Sequence, residues 1–256
     1  MRIIRTTLII VAVILVAATI IATIAIVSLN RRNSAQPEAV AALISDEVVT
    51  FTQPDDEDWL LFTPVATTPA TGFIIYPGGF VDPAAYAPIA RDIAQRGYLV
   101  VIDPMPLNLA VLGIEGADSI IAGFPDITTW AIGGHSLGGA MAAEYIARNP
   151  EATGGLALWA AYPAANTSLR AFDIAAVSIY GDADGVASLD DVRDGANRLP
   201  ADTPFILIPG GNHTQFGRYG TGLQRGDNPA GISADEQQAI IVDGTVEMIS
   251  NVRPTN

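Results

Sequence analysis

Neither cysteine nor lysine occurs anywhere in the 256 residues. Without cysteine there are no disulfides, no thiolate metal ligands and no cysteine nucleophile. Without lysine there is no Schiff base, no lysine general base and no phosphate-loop lysine. Histidine is nearly absent, with two copies, His135 and His213, so any imidazole chemistry must use one of them. Only 16% of residues are charged while half are apolar, which excludes a disordered chain and leaves material for a large core. After Arg32, nine arginines stand against twenty-seven acids, a formal charge of −18. Such a chain is repelled by phosphate backbones, so nucleic acid is excluded as a partner.

The four remaining arginines, Arg2, Arg5, Arg31 and Arg32, bracket an uncharged run from Thr6 to Asn30. As a helix its twenty-five residues reach roughly 37 Å, more than the ~30 Å hydrocarbon core of a bilayer. A cleaved signal peptide would have a shorter apolar region ending in a small-x-small site, whereas this run is longer and ends in two arginines. An uncleaved single-pass membrane anchor is therefore expected over residues 1–30. Two arginines lie on each side, and the terminal amine tips the positive-inside balance toward an internal N-terminus and an extracytoplasmic domain.

The polar stretch that follows, with Pro37, reads as a tether over 31–47, and a single domain is expected over 48–256. Strand-length apolar or β-branched runs recur at 48–52, 59–62, 73–76, 98–102, 130–132, 156–159, 177–180 and 205–208. Helical spacing appears between them at 88–96, 109–122, 137–148 and 190–198, and Ser233 to Glu236 forms a capping box that opens a last helix toward Ile249. This alternation predicts an α/β fold: an eight-stranded, mostly parallel sheet with helices on both faces, begun by an antiparallel meander. Ligands of such sheets bind at the carboxyl ends of the strands.

At one of those ends stands Gly133-Gly-His-Ser136-Leu-Gly138-Gly-Ala140. Gly134-x-Ser136-x-Gly138 between a strand and a helix has the form of a nucleophile elbow, in which a tight turn lifts the serine hydroxyl above the sheet. The flanking glycines fit because a side chain there would collide with neighbouring strand and helix. A glycine-rich turn with an incidental serine is the plainer alternative, and the strand before and helix after argue against it.

Serine needs a base. His135 is the elbow neighbour whose side chain diverges from that of Ser136, so it reads as a packing or hydrogen-bonding residue. His213, on the loop after the last strand, is the candidate base, since the expected order is nucleophile, acid, histidine. Between them Gly181-Asp182-Ala-Asp184-Gly185 supplies two carboxylates, either of which can orient an imidazole. The oxyanion donors are expected to be the backbone amide of Leu137 and one from Tyr76-Pro-Gly-Gly79-Phe80, with Gly79 preferred and Phe80 in reserve. Asp103-Pro104 is read as a turn, and Phe80, Tyr162 and Phe216 are candidates to line the site.

These residues resemble the α/β-hydrolase superfamily, in particular small single-domain members similar to dienelactone hydrolases and carboxylesterases. The resemblance runs from about Val48 to Val252 and is carried by the 76–80 loop, the Ala87-Pro-Ile-Ala90 helix, the elbow, the Tyr180 to Gly185 loop and the Gly210-Gly-Asn-His213 loop. It implies an α/β-hydrolase fold, a Ser136, Asp184, His213 triad and no cofactor or metal. The Gly-x-x-Asp spacing of similar hydrolases selects Asp184 over Asp182. Dienelactone hydrolases use cysteine, so their substrate does not carry over, and Pro77 replaces the histidine many relatives carry before the oxyanion glycine. The segment 160–176, where relatives insert a cap, is too short for a lid and favours small or extended acyl substrates. The expectation is a membrane-anchored serine hydrolase of small carboxylic esters. An acyltransferase on the same triad and a non-catalytic membrane-tethered binding module of the same fold are the alternatives.

Overall fold

The computed structural model describes residues 2–253; Met1 and residues 254–256, which fall at the ends of the anticipated anchor and domain, lie outside the described residues. Helix α1 (Arg2–Arg32) holds the apolar run, and its window Ile14–Arg32 is long and apolar enough to cross a membrane, with none of it buried against the rest of the chain.

Eight strands follow: β1 (Val49–Thr52), β2 (Leu60–Pro64), β3 (Thr71–Tyr76), β4 (Leu99–Ile102), β5 (Thr129–His135), β6 (Gly155–Trp159), β7 (Ala175–Gly181) and β8 (Phe205–Ile208). They form one sheet in the order β1-β2-β4-β3-β5-β6-β7-β8. β1 and β2 pair antiparallel, as do β2 and β4, and every later pairing is parallel. β4 reads as a continuous apolar run, and β5 is buried along its whole length, because both faces of the sheet are covered there.

The central strands alternate their side chains between two cores. Phe73, Ile75, Val100, Ile102 and Trp159 point to one face, covered by α3 (Ala87–Ala94) and α7 (Ala234–Ser250). Ile74, Tyr76, Val101, Ile132 and Leu158 point to the other, covered by α4 (Gly116–Gly123) and α5 (Leu137–Arg148). The expected capping box opens α7: Ser233 Oγ accepts from the Glu236 amide while Glu236 reaches back to the Ser233 amide. A second box, Ser188 with Asp191, opens α6 (Leu189–Ala196).

Two segments differ from expectation. The helix anticipated over 109–122 is a short 3-10 turn at Ala110–Leu112 followed, past a non-helical Gly113, by α4, and a further 3-10 turn at Pro106–Asn108 precedes it. Leu109 is extended (φ −128°, ψ 103°) and Gly113 leaves the helical region (φ −141°, ψ 35°), so no α-helix runs through the first turn of the anticipated span; just before it Leu107 and Asn108 take left-handed conformations (φ 56° each). The stretch anticipated as a tether lies against the domain: Pro37 starts a short helix, α2 (Pro37–Ala41), Ala39 is fully buried, and Ala35 bridges to Tyr219. The Gln36 side chain donates to the carbonyls of Tyr219 and Gly220 at 3.1 and 3.0 Å, and Glu38 pairs with Arg218.

Candidate active site

β5 ends in the glycine-rich turn and α5 begins at once, with Ser136 as its N-cap residue. Ser136 sits at φ 52°, ψ −120°, a conformation few residues other than glycine adopt, and its amide donates to the Trp159 carbonyl of β6 at 2.9 Å. The turn is tight because its glycines touch backbone. A Cβ on Gly134 would lie 2.2 Å from the Tyr76 carbonyl oxygen, and one on Gly138 would lie 2.0 Å from the same atom. Strain of this kind persists only where surroundings enforce it, and it concentrates at functional sites.

His213 follows β8, and Asp184 follows β7. His213 Nδ1 donates to Asp184 Oδ2 at 2.8 Å, and both side chains are completely removed from solvent. The other carboxylate oxygen, Oδ1, accepts from the amides of Val186 and Ala187 at 2.7 Å each. With the proton on Nδ1, Nε2 is left as the acceptor, and it is buried with no hydrogen-bond partner. Ser136 Oγ is not hydrogen-bonded to it; serine–histidine contacts are often loose before substrate binds. Asp182 has a different role: its Oδ1 accepts from the Gly210 amide at 2.6 Å, fastening the turn that leads to His213.

His135 occupies the space beside His213, with ring centroids 4.5 Å apart. Phe216 stacks on it at 5.6 Å, nearly parallel, so Phe216 is a fully buried wall of the histidine pair and not part of an open lining. Burial first, and the neighbouring His213 second, hold the basicity of His135 well below that of an ordinary histidine, so it is neutral. Its Nδ1 lies 2.8 Å from the Tyr86 hydroxyl, which accepts from the Gly78 amide at 2.9 Å. The tyrosine proton is then directed at Nδ1, which assigns the Nε2–H tautomer by the network. One buried phenol thus joins the 76–80 loop to the elbow.

That loop faces the start of α5: a Cβ on Gly79 would lie 3.2 Å from Leu137 Cδ2. Phe80, the reserve donor, is engaged, since its amide donates to the Asn108 carbonyl at 2.6 Å. Among the described residues the Gly79 amide makes no hydrogen bond, and Leu137 stands at the helix N-terminus, where amides lack intrahelical partners. Tyr162 is half-buried against Gly195.

Asp227 carries no sequence signal, yet it holds the two loops together. Its Oδ1 accepts from the amides of Gly185 and His213, and its Oδ2 from the Thr214 amide and hydroxyl. Burial by itself raises its pKa, but the Thr214 hydroxyl and these amides outweigh burial and keep the carboxyl below the ordinary range. Asp103 is more than a turn residue. It is buried with Oδ2 unpartnered, and burial, aided by Glu57, pushes its carboxyl up to about 7. A cavity of about 660 Å³ lined by Thr153, Ala176, Ile206 and Met248 lies at the amino ends of β6–β8, the opposite end of the sheet from Ser136.

The fold has known counterparts. An esterase domain from a Rhodothermus marinus protein superposes with a TM-score of 0.56 at 13% identity, covering 78% of this chain and 97% of that one. No curated protein matches the sequence. The model of the alpha/beta hydrolase family matches residues 72–239, from β3 into α7, taking in the elbow and the loops of Asp184 and His213. This chain therefore belongs to the alpha/beta hydrolase family.

Proposed function

We propose that this protein is a serine hydrolase of carboxylic esters, held at a membrane by α1. The reading rests above all on the buried His213–Asp184 hydrogen bond, which leaves Nε2 unpartnered on an imidazole whose ring centroid lies 4.5 Å from that of His135, the residue before the strained Ser136. In this reading Ser136 Oγ attacks the ester carbonyl as Nε2 of His213 takes its proton, and Asp184 holds the imidazolium. The carbonyl oxygen gains the negative charge, and the Leu137 and Gly79 amides donate to it. When the tetrahedral intermediate collapses, the bond to the alcohol breaks and His213 returns the proton to that oxygen, leaving an acyl-Ser136. Water, deprotonated by His213, attacks the acyl group; the acid leaves and Ser136 regains its proton.

An uncapped site suits this chemistry for small or extended acyl groups: no helix lies between β6 and β7. The test is hydrolysis of a short-chain ester by the wild type and by Ser136→Ala. The reading requires measurable turnover in the first and none above background in the second, with unchanged circular dichroism. Equal turnover in both contradicts it.

A further inference from the structure

The end of α1 and the proposed oxyanion loop are held together. Asn33, one residue past α1, accepts from the Asp82 amide at 3.1 Å, and the Ala35 amide donates to Asp82 Oδ2 at 3.2 Å. Gly79 is three residues from Asp82, so at most about 11 Å of chain separates them. On the other side, the Gly220 amide donates to the Ser34 carbonyl at 2.9 Å, and a Cβ on Gly220 would lie 3.1 Å from the Arg32 carbonyl. Gly220 belongs to the loop that continues from His213. The helix exit is thus clamped between the two loops that flank Ser136, at the carboxyl end of the sheet. No flexible spacer intervenes, so a domain anchored by α1 keeps this end close to the membrane surface.

Exposed aliphatic side chains stand on the rim of that same end. Leu107, Val111, Leu112 and Leu223 are each at least half exposed. The first three lie on the irregular segment whose Asn108 carbonyl binds the Phe80 amide, and Leu109 Cδ2 comes within 4.0 Å of the Gly79 Cβ position. Leu223 precedes Gln224, whose amide donates to Thr214 Oγ1, next to His213. Exposed aliphatic side chains on both sides of a site that faces a bilayer act as a shallow interfacial contact. With a charge of −18 after Arg32, the domain gains nothing electrostatically from an anionic leaflet, so the contact must be apolar.

We propose that the ester this site takes is resident in the bilayer: an amphipathic lipid ester whose acyl chain passes from the leaflet over Leu107, Val111, Leu112 and Leu223 to Ser136. The assignment rests on the serine-hydrolase reading and on α1 as an anchor. The test uses the full chain in phosphatidylcholine vesicles with two probes, a long-chain fluorogenic ester embedded in the vesicles and a short-chain water-soluble ester. In Val111→Asp/Leu112→Asp the ratio of embedded-ester to soluble-ester rates falls at least tenfold from the wild type. Independently of activity, the fluorescence gained by Val111→Trp over the wild type is quenched by brominated phosphatidylcholine. An unchanged ratio, a wild type that cleaves only the soluble ester, or a Val111→Trp signal that brominated lipid does not quench overturns the bilayer-resident substrate and leaves the hydrolase reading standing. Failure of the wild type to cleave either ester overturns the hydrolase reading and the substrate assignment with it.

Discussion

Asp184 and Asp182 lie two residues apart and hold different partners, one an imidazole and the other a turn amide. Asp184→Asn replaces an acceptor-only carboxylate with an amide and lets His213 adopt the wrong tautomer, so kcat for a small ester should fall by up to roughly 10⁴-fold. Asp182→Asn keeps an oxygen for Gly210 and should cost about tenfold or less through loop misplacement. Side-by-side kinetics at matched thermal stability check this; a larger loss in Asp182→Asn would reverse the two roles. Asp103 governs a different property. Its carboxyl titrates near 7 when folded and near ~3.9 when unfolded, so the folded state binds the extra proton and loses stability as pH rises between those values. The penalty approaches roughly 4 kcal/mol above pH ~7 and vanishes below pH ~4. Denaturation across that range should show the wild type declining relative to Asp103→Asn, whereas parallel profiles would mean Asp103 is paired. Asp227, with its depressed carboxyl, works in the opposite sense, stabilising at neutral pH and losing that contribution as pH falls through its folded value. Neither role was legible in the sequence. Ser136, His213 and the pair Asp182/Asp184 announce themselves by local context, but the partners of Asp227 and Tyr86 are brought together only by folding.

At the scale of elements, the eight strands were legible because each is a short β-branched or aliphatic run stopped by glycine, proline or a polar turn, and burial on both faces preserves that signature. The elbow was legible for the same local reason. The 109–115 segment was not, because its apolar spacing mimics a helix while Leu109 is extended and Gly113 breaks the turn before α4 can begin. The docked segment 33–41 was missed because its contacts are to Asp82 and to residues 218–220, far along the chain. This segment gives an element-scale prediction. A chain starting at Arg31 retains the Gln36 and Glu38 contacts and should be water-soluble and fully folded. A chain starting at Leu43 loses the Gln36 hydrogen bonds and the buried Ala39, and should be less stable by roughly 2–3 kcal/mol. For a domain of this size that is a fall in Tm of about 4–12 °C. Calorimetry of the two truncations decides the point; equal Tm values would show that the segment contributes nothing.

For the whole molecule, the arrangement is one sheet with the loops of Ser136, Asp184 and His213 and the exit of α1 gathered at the same end. β3, β5, β7 and β8 each deliver one part: the 76–80 loop, the elbow, Asp184 and His213. Tyr86, Asp227 and Asp182 brace these loops against one another, so the turn of Ser136 and the ring of His213 are each held by the fold itself, as the proposed chemistry requires. On the proposed chemistry Ser136 is the activated nucleophile of this assembly. Treating the folded protein with a fluorophosphonate and mapping the adduct by peptide mass spectrometry reads this out. One phosphonyl group per chain is expected, on Ser136, and none in Ser136→Ala; an unmodified wild type, or an adduct on any other residue, would show that Ser136 is not the nucleophile.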